Sequence, residues 1–73
     1  MVDFNLKSKE GLIISYSPHT DRGVVRVGRY RYKFDLTSWK CGRVVRYPKA
    51  GDSVRVVFSA NGPRFRLVSV WAL

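Results

Sequence analysis

Carboxylates are scarce in this chain. Asp3, Glu10, Asp21, Asp35 and Asp52 are the only five, scattered among 14 lysines and arginines. They offer no pair spaced for general acid–base work. Histidine is scarcer still. His19 stands alone in a Ser17-Pro18-His19-Thr20-Asp21 turn, without the second histidine or spaced carboxylates that a metal requires. Cys41 is the single cysteine, so no internal disulfide and no thiolate zinc site can form. One free thiol fits a reducing compartment, and the cytoplasm is the expected location. Glycine-rich phosphate loops are absent, and nothing activates a serine or threonine as a nucleophile. No stretch approaches the roughly 18 apolar residues of a membrane span, and residues 1–9 lack the basic-then-apolar pattern of a leader. The chain is therefore expected not to be an enzyme, with no catalytic residue, no metal and no cofactor.

What is present is a core and an excess of positive charge. The 73 residues are 45% hydrophobic and 14% aromatic, enough for one small folded domain and too much for a disordered segment. The net charge is +9, and it is unevenly placed. Residues 22–49 carry Arg22, Arg26, Arg29, Arg31, Lys33, Lys40, Arg43, Arg46 and Lys49 against Asp35 alone. Solubility does not require so one-signed a block. It would attract a polyanion and raise its encounter rate.

Apolar residues do not recur at helical spacing anywhere. Alternation and short β-branched runs recur instead, bounded by turn residues. Five runs can be marked: 11–16, 24–27, 30–36, 54–58 and 64–71. The third is the cleanest. Tyr30, Tyr32, Phe34 and Leu36 alternate with Arg31, Lys33 and Asp35, so one face is buried and the other is wet. Gly28-Arg29 reads as a tight hairpin connection, and Ala60-Asn61-Gly62-Pro63 as a turn. Five short strands are too few for a sandwich and suggest a small closed barrel. Tyr32, Phe34, Leu36, Val54, Val56 and Phe58 are expected in its core. Trp39 reads as structural, and Trp71 as a residue that closes or caps the barrel. In the first run, simple alternation would bury Leu12, Ile14 and Tyr16.

The order of these elements resembles the cold-shock domain, a five-stranded OB-fold barrel that binds single-stranded nucleic acid. Gly11-Leu12-Ile13 resembles the opening of that family. Arg22-Gly23-Val24-Val25-Arg26-Val27 and Tyr32-Lys33-Phe34-Asp35-Leu36 sit where it has its two RNA-binding motifs. Gly51-Asp52-Ser53-Val54-Arg55-Val56 is similar to its fourth strand, and Asn61-Gly62-Pro63 to its last turn. The resemblance implies an all-β, small five-stranded OB-fold (cold-shock-like) barrel over residues 11–73, after an N-terminal extension, residues 1–10. It also implies that Ile13, not Ile14, is buried, which a bulge in the first strand would reconcile with the alternation.

The departures bear on function. In that family, exposed aromatics of the two motifs form a stacking platform for bases. Here the matching positions are Val24, Arg26, Lys33 and Asp35, and Ser15 stands where the first strand has a tryptophan. Tyr16 alone survives. The resemblance therefore implies low-specificity binding of single-stranded RNA or DNA, driven mainly by charge. Tyr16, Arg22, Arg26, Arg31 and Lys33 would supply the barrel face, and Arg43, Arg46 and Tyr47 a mobile basic loop beside it. Arg29-Tyr30-Arg31-Tyr32-Lys33-Phe34 with Trp39 also resembles cold-shock-like domains at the front of small bacterial membrane proteins. That likeness leaves an alternative open: a protein-interaction module that docks an acidic partner, or serves a membrane-linked assembly, and has lost nucleic-acid binding. Direct membrane attachment is not expected of the domain itself, which has charge but no amphipathic helix to insert.

Overall fold

The computed structural model describes residues 6–42, 45–59 and 66–73. The alternating runs become six strands: β1 (Leu6–Ser17), β2 (Arg22–Val27), β3 (Tyr30–Asp35), β4 (Trp39–Lys40), β5 (Ser53–Ser59) and β6 (Arg66–Ala72). They form one sheet in the order β3-β2-β1-β5-β6-β4. Every pairing is antiparallel except β4 with β6. β3 and β4 stand at the two ends of this order, yet only a 3-10 turn, Leu36–Ser38, separates them in the chain. The sheet must therefore curl until its ends approach, and it forms a half-barrel. Among the described residues no helix is long and apolar enough to cross a membrane.

The sixth strand is the departure from expectation. The third run gives way at Leu36 to the 3-10 turn Leu36–Ser38, and beyond it Trp39 and Lys40 pair with Val70 and Trp71 of β6. Two other boundaries also move. β1 reaches back to Leu6, so Leu6–Glu10, expected to precede the barrel, pair with β5 instead. β6 is described from Arg66; the expected turn at residues 60–63 lies outside the described residues.

β1 serves both halves of the sheet. Leu6–Leu12 pair with β5, and Leu12–Ser17 pair with β2. At the changeover stands Gly11, where a Cβ would lie 2.9 Å from the Arg26 carbonyl oxygen; only glycine lets the strands cross so closely. The register then slips between Ile13 and Ser15. This bulge resolves the conflict over the first strand, because Ile13 is buried and Tyr16 packs against the core beyond it. Gly28 turns the β2–β3 hairpin with φ 62°, joining Val27 to Tyr30 through a two-residue loop.

The inward side chains are Ile13, Val25, Val27, Phe34, Trp39, Val54, Val56, Phe58 and Val70. Tyr32 and Leu36, expected in the core, are half-buried against it. The Tyr32 and Phe58 rings meet with centroids 4.9 Å apart, a contact from β3 to β5 that crosses the hollow of the half-barrel. Trp39 is buried and its Nε1 donates to the Arg46 carbonyl at 2.7 Å. The structural reading of that residue holds.

Candidate functional site

Alternation assigns the outer face of β2 and β3 residue by residue. Gly23, Val25 and Val27 point inward, leaving Arg22, Val24 and Arg26 outside. Tyr32 and Phe34 point inward, leaving Arg31, Lys33 and Asp35 outside. The register sets Arg22 opposite Asp35, Val24 opposite Lys33, and Arg26 opposite Arg31. Side chains opposite one another share a face with Cβ atoms about 4.5–5.5 Å apart, and like charges there are destabilising. The close like-charged pair is thus Arg26–Arg31, and Lys33 lies diagonal to Arg26. Among the described residues, Arg22, Arg26, Arg31 and Lys33 form no ion pair.

Asp35 puts one negative charge on this face without forming an ion pair with Arg22, Arg26, Arg31 or Lys33. Its carboxylate accepts from the hydroxyls of Thr37 and Ser38, in the turn that ends β3. The Thr37 hydroxyl, aided by the backbone of Ser38 and Thr37, holds its pKa below the ordinary aspartate value despite some desolvation. Asp35 is therefore anionic and satisfied locally. Arg22, opposite it, keeps its charge for solvent or a ligand.

The two tyrosines meet at one end of this face. Tyr16 and Tyr47 stack with centroids 6.3 Å apart and planes at 25°. The Tyr16 hydroxyl donates to Asp21 Oδ1 at 3.0 Å. Desolvation, and then this bond to a carboxylate, push the Tyr16 phenol above the ordinary tyrosine value. Tyr47 is 67% exposed. Together with Pro18, Pro48, Lys49 and Ala50, the pair lines an open hollow of about 460 Å³. Tyr16 also lines a second hollow, of about 330 Å³, with Ser15, Arg22, Val24 and Lys33. One tyrosine therefore joins the aromatic end to the basic face.

The segment carrying Tyr47 was expected to be mobile, and its described part is fastened. Gly51 N–H donates to the Ile13 carbonyl at 2.8 Å, and Ile13 N–H to the Asp52 carbonyl at 2.9 Å. Asp52 also accepts from the Lys49 amide at 3.1 Å and from Arg46 Nη1 at 2.9 Å. This last contact is an ion pair, so Arg46 offers less free charge than the sequence suggested. Arg43 lies outside the described residues.

No family model, curated protein or solved structure matches the chain. Its chemistry rests on the geometry alone. Of the expected site residues, Arg22, Arg26, Arg31 and Lys33 share one face, Tyr16 and Tyr47 adjoin it, and Arg46 turns to Asp52. Arg66 is an addition. The curl of the sheet brings it beside Arg22, Lys33, Asp35 and Ser38 around a depression of about 420 Å³ between β3 and β6. No local signal marks it, because its neighbours lie more than 25 residues away in sequence.

Proposed function

We propose that the chain is a binding module for single-stranded RNA or DNA, built on a five-stranded OB-type barrel similar to the cold-shock domain. The observation that carries this reading is the in-register Arg26–Arg31 pair, with Arg22 and Lys33 on the same face and no compensating ion pair among the described residues. Guanidinium groups contact phosphates and stack on bases, so a polyanion would relieve a repulsion that the free protein has to bear. The long β1 shared between two halves, and the parallel return of β4 against β6, support the barrel type. Its single thiol fits work in the cytoplasm. The chemistry is that of a binder without a reaction, sequence-tolerant because phosphate contacts carry no base information.

The test is an NMR titration of the labelled protein with a short mixed-sequence oligonucleotide, at low and raised salt. Shifts are expected at Tyr16, Arg22, Arg26, Arg31, Lys33 and Tyr47. With about five phosphate contacts the single-strand salt slope would be near −3.5, so affinity would fall about a hundredfold between 50 and 200 mM salt. A flat salt response would overturn the electrostatic mechanism.

Arg31→Glu separates stability from binding. It turns a repulsive cross-strand pair into an attractive one, worth about 0.5–1 kcal/mol, or roughly 2–8 °C in Tm for a domain of this size. The same change would weaken oligonucleotide binding about tenfold, by deleting one phosphate contact and adding an anion. Thermal melts and binding isotherms on one variant would show opposite signs. A variant that loses both stability and binding would mean that Arg31 is structural.

One observation favours a second reading, that of a module docking an acidic protein: the outer face of β2 and β3 holds no aromatic in a described position. Absorbance of the purified protein distinguishes the two. Copurifying nucleic acid raises the 260/280 nm ratio, and an acidic protein partner does not.

A further inference from the structure

Trp71, expected to close or cap the barrel, does neither. It stands on the outer face of β6, 46% exposed. Its Nε1 donates to Ser69 Oγ at 2.8 Å, two residues back on the same face of the strand. A bond between those positions requires the indole to lie back along the strand instead of projecting from it. The burial of Ser69 agrees. Ser69 is 7% exposed, the one buried polar residue among those described, although its neighbour Val70 takes the inward position. An indole lying over Ser69 accounts for this. The hydrogen bond holds the indole in place while nearly half of the residue stays open to solvent.

Two cations flank residue 71 on the neighbouring strands. The register places Arg55 of β5 opposite Trp71 on one side, and Lys40 of β4 beside it on the other. Adjacent strands lie about 4.8 Å apart. Arg55 reaches Glu10 only at 3.8 Å, through two exposed side chains, and Lys40 forms no ion pair among the described residues. A second copy of the chain is a poor occupant, because a two-fold contact would press these cations against their own copies. An anionic ligand with a flat apolar part fits the charge and the ring.

Resting on the nucleic-acid reading above, the geometry points to Trp71 as a base-stacking platform, with Arg55 and Lys40 contacting the phosphates on either side of the stacked nucleotide. The β2–β3 face supplies charge with tyrosines only at its end, and this second face supplies an aromatic between two cations.

The chain has two tryptophans, and Trp39 is buried with its Nε1 bonded, so quenching by a ligand at the surface reports mainly on Trp71. The experiment titrates the protein with an oligothymidylate and with an abasic oligonucleotide of equal length and charge. Quenching by the first and not the second is expected. Trp71→Ala would raise Kd for the oligothymidylate roughly five- to hundredfold and leave abasic binding unchanged. Trp71→Phe, which keeps a ring, would stay within a few fold of the parent protein. Equal quenching by both strands, or an unchanged Kd in Trp71→Ala, would overturn the platform. Should Arg26 and Arg31 amide shifts persist in that case, the basic face stands without it. Should no oligonucleotide bind while polyglutamate quenches Trp71, the nucleic-acid reading fails too, and the face belongs to an acidic protein.

Discussion

Gly23→Ala would strongly destabilise this protein, although alanine is the smallest change available and glycine is a poor strand residue. Propensity alone favours the substitution by up to about 1 kcal/mol. Sterics opposes it more strongly. A Cβ at residue 23 would lie 2.6 Å from the Ser15 carbonyl oxygen and 2.7 Å from Phe34 Cζ. The first atom is backbone in the β1–β2 ladder, and the second is a buried ring, so neither can yield cheaply. Overpacking of this kind costs about 1–3 kcal/mol and occasionally more. A core of this size supplies only about 3–5 kcal/mol in all. Thermal unfolding followed by circular dichroism should show a Tm lower by 10 °C or more, scaling at roughly 4–8 °C per kcal/mol. Gly42→Ala is the control, because nothing lies within 4 Å of a Cβ there; its Tm should barely move. Equal melting of the two variants would mean that β1 and β2 do not approach as described.

Trp39 is the second position where a large effect is expected, and two substitutions divide its roles. Trp39→Ala removes a buried indole beside Val70 and leaves the Arg46 carbonyl without its donor. Large aromatic-to-alanine changes cost about 3–5 kcal/mol, the whole reserve of a domain this small. Trp39→Phe keeps most of the apolar volume and loses only the Nε1–H, at about 1–3 kcal/mol for the unsatisfied carbonyl. That variant should fold with its Tyr47 segment loosened. Hydrogen exchange would test this. Amides of Val45, Arg46, Tyr47 and Lys49 should exchange faster than in the parent protein, and Gly51, bonded to the Ile13 carbonyl, should keep its protection. Oligonucleotide shifts at Tyr47 should shrink, and those at Arg26 should remain. Unchanged exchange in the segment would show that Asp52 alone anchors it.

The legible parts of this fold were those written in local pattern. The strict alternation of Tyr30 to Asp35 gives β3 its two faces, and Val54, Val56 and Phe58 identify the inner side of β5. Gly28-Arg29 marks a hairpin that the register bears out. Leu6–Glu10 were less legible because charged residues dominate them; they form a strand by pairing with β5, a partner more than 40 residues away. Trp71 misled for a similar reason. A tryptophan at the end of an apolar run reads as one that closes or caps the barrel, and only the bulge within β6 decides which side it takes. The basic residues of the candidate site could be chosen from the sequence, but their pairing could not. That Arg26 faces Arg31 follows from hairpin register, and that Arg46 is held by Asp52 follows from a loop closing on itself.

The place of β6 bears on how the molecule is made. It is the last strand in the chain, yet it lies inside the sheet, between β5 and β4. As the polypeptide emerges during synthesis, the β1–β2–β3 meander can assemble early, since its connections are short. β4 has no strand to pair with until residues 70 and 71 arrive, and the inner faces of Val25, Phe34 and Val56 stay uncovered until then. Pairings this distant in sequence are slow to form, on the order of milliseconds to seconds, and exposed strands invite association meanwhile. A nascent chain halted before residue 70 would carry its basic face without a finished core beneath it.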